Sequence, residues 1–208
     1  MCNLYRMTKG TAEVANLFKV EADEAANYAQ EVYPGYPGLV VADGAARAMN
    51  WGFPLVLKGK QGQPLKPKPV TNARDDKLLS AFWRDSFAQR RCLIPVTQWA
   101  EPRGEAGKMT RSWYSLADRD VLTVAGLWRR TAEWGLCYTM VMADASPDMA
   151  DVHDRMPVIL EPHEWEQWTT GSADDALALA LVRTWPGPLV ADHTQERWAG
   201  GGASPQLL

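Results

Sequence analysis

Runs of β-branched and aromatic residues between Cys92 and Ala143 constrain this chain more tightly than any other feature. Cys92–Val96 continues through Thr97–Ala100 to Glu101, and Ser112–Ala117, Val121–Trp128 and Leu136–Ala143 follow. Side chains of this shape fit a pleated, half-buried surface. The gaps hold turn residues: a Gly-containing loop over Pro102–Thr110 and a short turn over Thr131–Gly135. Connections this short leave no room for the crossover that a parallel pair needs, so the runs read as an antiparallel meander. A further pair, Leu39–Val41 and Ala46–Trp51, flanks Asp43-Gly44, a tight-hairpin signal.

Helices are predicted at the edges of this sheet. Thr11–Phe18 sets Val14, Leu17 and Phe18 on one side, and Glu21–Gln30, polar and Ala-rich, reads as loosely helical. Asp75 can cap a turn through Leu79, and Ser80 can cap Ala81–Gln89. Ser146-Pro147 opens a helix of about two turns, which the run from His153 to Pro157 ends. Glu164–Trp168 and Asp174–Val182 follow, the second behind a Ser172/Asp175 capping box. Tyr33–Gly38 is a turn cluster. Lys58–Val70, with four Lys, three Pro and two Gly, reads as an extended, mobile, basic loop. The expected fold class is α+β in a single domain over residues 1–198, with a flexible Gly/Ser/Pro-rich tail over 199–208.

Composition limits the function. A chain of 208 residues with 23% charged side chains can bury a normal core. No apolar run approaches the ~20 residues of a membrane span, and the first ten residues lack the apolar stretch of a secretory signal. Cys2, Cys92 and Cys137 form no CxxC pair, so free thiols in a reducing cytoplasm are expected. The net charge of −3 argues against a nucleic-acid partner, but its distribution does not. From Lys58 to Arg91 nine basic residues face three acids, net +6, whereas Glu161 to Leu208 carries −5. A basic centre with acidic flanks can track a phosphate backbone, and equally can be a solvated loop. Ten Trp suit core packing for the most part, with base stacking as the other use.

His153, His163 and His193 lie outside any metal-ligand spacing, and no P-loop, GxGxxG or GxSxG occurs, so neither metal nor cofactor is expected. Cys2 has different possibilities. Removal of Met1 leaves a thiol and a free α-amine on one residue, the amine titrating near ~7.7–8.0. Such a 1,2-aminothiol suits an aldehyde: the amine forms a Schiff base and the thiolate closes a thiazolidine intramolecularly. Position alone favours an idle or packed thiol. His153, at a predicted helix end between Asp151 and Asp154, is favoured as imidazolium, which suits a general acid, but position alone favours a plain surface histidine. Glu101, between Trp99 and Pro102, is either a half-buried proton carrier or a rim residue. Asn72 can cap a turn or bind a ligand.

Met1-Cys2, Asn72-Ala73-Arg74, Arg91-Cys92-Leu93-Ile94-Pro95, Ala125-Gly126-Leu127-Trp128 and the run His153-Asp154-Arg155-Met156-Pro157-Val158-Ile159-Leu160 occur in this order. In this set the chain resembles the SOS-response-associated peptidase (SRAP) family. The resemblance implies an antiparallel, barrel-like sheet with flanking helices and a positive DNA groove. It implies a covalent thiazolidine crosslink from Cys2 to abasic sites in single-stranded DNA, with those at single-strand/duplex junctions included. It further implies that Asn72 orients the reacting groups, Glu101 handles protons and His153 protonates the opening sugar. Arg74 and Arg155 would hold phosphates, and Trp51 would lie along the DNA path. A monomer in the cytoplasm, associated with the nucleoid when bound to DNA, is expected. A thiol peptidase acting on its own Met1 or on another protein, and a non-covalent single-strand binder, are the alternatives. The family pattern is broken at Asn3-Leu4 (usually Gly-Arg), at Trp99-Ala100-Glu101-Pro102 (usually Phe-Tyr-Glu-Trp), and at Tyr33-Pro34-Gly35-Tyr36-Pro37 (usually Asn-x-Ala-Pro).

Overall fold

A computed structural model of the chain describes residues 2–182 and 185–198; the tail predicted over 199–208 lies outside them. Among the described residues, strands form sheets of nine, five and two. Inside the largest sheet five strands close a ring. Gly135–Asp144 pairs with Leu122–Thr131, which pairs with Arg91–Val96. Arg91–Val96 meets Pro37–Ala42, which forms the Asp43-Gly44 hairpin with Ala45–Trp51. Ala45–Trp51 returns to Gly135–Asp144 through Cys137↔Asn50 and Tyr138↔Trp51. The first four pairings are antiparallel and the closing one is parallel, which no local turn signal encodes. Closure removes sheet edges that would otherwise pair with other chains.

The predicted meander is split between two sheets. The chain bends at Thr97, so Arg91–Val96 and Gln98–Arg103 belong to different sheets. Thr97 is tied to the N-terminal segment: its amide and hydroxyl both donate to Arg6 O (2.8 and 3.0 Å). In the five-stranded sheet Gln98–Arg103 lies between Tyr5–Arg6 and Thr110–Leu116, and Leu189–Arg197 covers the far edge. That last strand is long, polar and mostly exposed, so its pattern carries no hydrophobic alternation to reveal it.

Elsewhere the local readings fare unevenly. The helix Thr11–Phe18 forms, though Leu17 stays exposed. Glu21–Gln30 is not helical; Glu21–Ala22 pairs with the Ala45–Trp51 strand and turns follow. Ser80 stands before turns, and the α-helix is only Arg84–Gln89. Ser146-Pro147 opens one 3-10 turn, Pro147–Met149, without a side-chain cap. Ser172 does cap the helix Ala173–Val182, its Oγ accepting from the Asp175 amide (3.1 Å). The basic loop is anchored as a hairpin, Lys68–Val70 pairing with Phe53–Leu55 and Lys58 bridging Pro64. Its tip exposes Leu57 and Leu65 beside its lysines.

The core is aromatic. Tyr5 from the N-terminal segment sits edge-on to Trp51 with centroids 5.0 Å apart, and its hydroxyl is hydrogen-bonded to that of Tyr138. Gly38 makes room for this pair, because a Cβ there would overlap both hydroxyls. We expect Gly38→Ala to lower stability by about 1–3 kcal/mol, the usual penalty for overpacking a core. Denaturant midpoints test this. Tyr138→Phe, which removes one obstructing oxygen, should recover part of the loss in the double variant; simple additivity would contradict the steric account.

Candidate active site

Strand pairing gathers the sequence-predicted residues at one place. Asn72–Arg74 is a short strand parallel to Gly135–Asp144, with Met140↔Asn72 and Met142↔Arg74 in register. Arg155–Pro157 lies antiparallel to the same strand, with Asp144↔Arg155. An ion pair from Arg155 Nη1 to Asp75 Oδ1 (2.8 Å) joins the two short segments. His153 stands just before Arg155, its amide bonded to Met149 O (2.9 Å).

The N-terminal segment brings in the remaining two. Leu4 O accepts from the Ala100 amide (2.9 Å), and Tyr5 is in register with Trp99. Cys2 is thereby buried, and Asn72 Nδ2 donates to Cys2 O (2.9 Å). The same amide nitrogen donates to Thr71 Oγ1 (2.8 Å), while Thr71 O accepts from Trp51 Nε1 (3.2 Å). The Asn72 Oδ1 acceptor is buried without a hydrogen-bond partner among the described residues.

Burial sets the protonation states. The Cys2 thiol is pushed well above its usual range, first by desolvation and then by the negative charge of Glu101; its own contact, to Leu4 O, is a weak 3.5 Å. Glu101 is fully buried, and desolvation raises its carboxyl to about 7, with the positive chain terminus pulling the other way. Thiol and carboxyl therefore act on each other at a site sealed from water. His153 departs from expectation. No helix end supports it, and burial, reinforced by the positive terminus, lowers its pKa despite Asp154 nearby. Its Nδ1 accepts from the Arg155 amide (2.9 Å), which leaves the ring proton of neutral His153 on Nε2. The 3.0 Å approach of Asp154 Oδ1 to Nδ1 is an ion pair only in the protonated ring.

The predicted phosphate ligands differ from one another. Arg74 is half exposed and bound fork-to-fork by Asp76, with two contacts of 2.9 Å. Arg155 is held between Asp75, whose side chain is 11% exposed, and Asp144, 78% exposed, so an incoming anion can replace only the second cheaply. Trp51 is not on a surface at all. It is fully buried against Tyr5 and Tyr138, and its role is to fix Thr71 beneath Asn72. Six of the ten tryptophans are buried and Trp128, Trp134, Trp165 and Trp198 are half-buried, so core packing is their main use.

The sequence left out Tyr114. It is buried, stacked on Trp99 with centroids 5.5 Å apart, and its hydroxyl has no partner among the described residues. Desolvation, with Asp151 and Glu101 adding to it, pushes it up to about 12. Only the cross-strand register reveals it, and that register is not written locally.

A small closed barrel with a buried cysteine near the chain start, beside a buried carboxyl and an orienting amide, defines a narrow class of protein. Residues 1–195 match the family described as SOS response associated peptidase (SRAP), and the chain belongs to that family. It is 26% identical to an abasic site processing protein of Saccharomyces cerevisiae over 65% of this chain and 39% of that one. It is 31% identical to Abasic site processing protein YobE of Bacillus subtilis over 58% of this chain and 56% of that one. The matched parts thus make up about half or less of those relatives. A solved structure from Bordetella bronchiseptica superposes with a TM-score of 0.76 at 25% identity, covering 93% of this chain and 99% of that one. Among the described residues no helix is long and apolar enough to cross a membrane.

Glu101 makes stability depend on pH. A carboxyl raised from 4.5 to about 7 is bound more tightly by its proton when folded, so stability falls as pH rises through that window. The order of magnitude is ~3 kcal/mol by pH 8. Glu101→Gln should therefore gain on wild type in melting temperature between pH 5 and pH 8. Parallel melting curves across that range would contradict the burial of an ionisable group.

Proposed function

We propose that this protein processes abasic sites in DNA, and that Cys2, once Met1 is removed, is the residue that bonds to the lesion. The observation that carries the reading is the placement of Cys2: its carbonyl on Asn72, its thiol beside buried Glu101. The names of the relatives support the substrate, since both are abasic site processing proteins.

The steps follow from protonation. An abasic sugar in its open form presents an aldehyde. The neutral Cys2 amine adds to that carbon, giving a carbinolamine. Glu101, with a carboxyl near 7, delivers a proton to the departing hydroxyl, which leaves as water. The resulting Schiff base is attacked by the Cys2 sulfur while the thiol proton passes to the Glu101 carboxylate. A high thiol pKa suits this order, because the thiol is held as S–H until an electrophile and a base are both in place. Cys2 and aldehyde combine with loss of one water, and Glu101 ends protonated as it began.

Burial favours the neutral ring of His153. His153 takes the proton of the anomeric hydroxyl and returns one to the sugar ring oxygen as the ring opens to the aldehyde, so the imidazole ends as it began. Phosphates next to the lesion reach Arg74 by displacing Asp76, and Arg155 by displacing Asp144. The four lysines of Lys58–Val70 would supply further contacts to the DNA backbone. Junctions of single strand and duplex are the expected sites, and the working form is a monomer.

Burial of Cys2 also favours a second reading, a non-covalent single-strand binder with a packed, unreactive thiol. A denaturing gel with an abasic single-stranded oligonucleotide separates the two. We expect a band that survives denaturation in wild type, Cys92→Ala and Cys137→Ala, because those buried thiols carry no amine. Cys2→Ala should lose it, and Glu101→Gln should form it ~10²-fold more slowly or worse. A surviving adduct in Cys2→Ala would overturn the assignment, and no adduct in wild type would favour the non-covalent binder.

A further inference from the structure

The groups that would act on an aldehyde are attached to Cys2 itself. Asn72 Nδ2 holds the Cys2 carbonyl (2.9 Å), and the charge of Glu101 acts on the Cys2 thiol. Both residues are buried. The groups that would recognise DNA form a separate set. Arg74 pairs with Asp76 (2.9 Å), and Arg155 pairs with Asp75 (2.8 Å) and Asp144 (3.3 Å). Lys58, Lys60, Lys66 and Lys68 are exposed on their hairpin. Nothing in the first set needs a phosphate in place. The reaction asks equally little of its partner: one carbonyl carbon and its oxygen. His153 enters only because an abasic sugar is closed and must open first, and a free aldehyde has no ring to open.

We infer that Cys2 also captures small, uncharged free aldehydes, and that the buried site speeds this capture with no DNA bound. The inference rests on the Cys2 chemistry proposed above. The neutral amine adds to the carbonyl carbon, Glu101 protonates the departing hydroxyl, and water leaves an iminium beside the Glu101 carboxylate. The sulfur then bonds to the same carbon, and its proton returns to Glu101. One aldehyde and Cys2 give one thiazolidine and one water, with no oxidant or reductant. Size is limited because Cys2 and Glu101 are both fully buried. Charge is selected against for a related reason. An aldehyde that carries a carboxylate would have to shed its water beside Glu101, and both arginines of the site are already paired with acids. The product occupies amine and thiol together, so a captured aldehyde blocks crosslinking to DNA.

Acetaldehyde and glyoxylate are the probes, and a free peptide of residues 2–6 is the reference. Intact mass follows adduct growth on protein that has lost Met1. Acetaldehyde should add to the protein ~10²-fold faster than to the peptide, the low end of general acid–base effects. Glyoxylate, with its carboxylate, should gain far less over the same peptide. Glu101→Gln should bring acetaldehyde capture close to the peptide rate. His153→Ala should slow an abasic strand by far more than it slows acetaldehyde. Acetaldehyde adding no faster to wild type than to the peptide, or as fast in Glu101→Gln as in wild type, would overturn the inference. Equal gains for acetaldehyde and glyoxylate would overturn the selection against charge. Fast capture of acetaldehyde without any crosslink to an abasic strand would count against the abasic-site reading and leave this one standing. Crosslinking to the abasic strand without accelerated capture would do the reverse.

Discussion

A single amide holds the site together. Asn72 Nδ2 donates to the backbone carbonyl of Cys2 and to the Thr71 hydroxyl, so the start of the chain is pinned to the barrel by its main chain. That leaves the Cys2 side chain free of any strong bond of its own, its thiol making only a long contact to Leu4 O. Asn72 is steady because Thr71 beneath it is fixed by the Trp51 indole, which is wedged in the core against Tyr5 and Tyr138. The cost is visible at Asn72 Oδ1, a buried acceptor with no partner among the described residues. Such an atom is worth ~1–3 kcal/mol of lost stability. In the proposed reaction a donor on the sugar or the Cys2 amine would recover it.

Desolvation governs the electrostatics of the site. It raises Cys2 and Glu101 and lowers His153, in every case favouring the neutral form. A site that holds its groups neutral near pH 7 can pass a proton among them without first separating charge. This suits a chemistry in which an amine, a thiol and an oxygen each change protonation in turn. It also suits a carboxyl kept at full burial beside a thiol, an arrangement that packing alone would disfavour.

Much of the fold was legible because hairpins and turns are local. Asp43-Gly44, Thr131–Gly135 and the Ser172 cap were each written within a few residues. The parallel closure of the barrel was not, since Tyr138↔Trp51 joins residues far apart in sequence. Nor was the strand Leu189–Arg197, whose exposed polar residues lack an apolar period. For the site, the motif residues Cys2, Asn72, Glu101, Arg74, His153 and Arg155 were named from the sequence. The environment of His153 was misjudged because the predicted helix shrank to one 3-10 turn. Trp51 was misjudged because exposure is a tertiary property. Leu4 and Ala100 pack with Trp113 in a small apolar cluster, against which Tyr33 and Trp198 lie.

The central claim, that Cys2 reacts through both its amine and its thiol, has one direct measurement. The intact mass of the protein is taken after incubation with an abasic single-stranded oligonucleotide of known mass. The account predicts a product equal to the chain without Met1, plus the oligonucleotide, minus one water, and unchanged in mass by borohydride, which adds two hydrogens to an open Schiff base and none to the closed thiazolidine. A chain that keeps Met1, or one that lacks it and gains no mass, would contradict it.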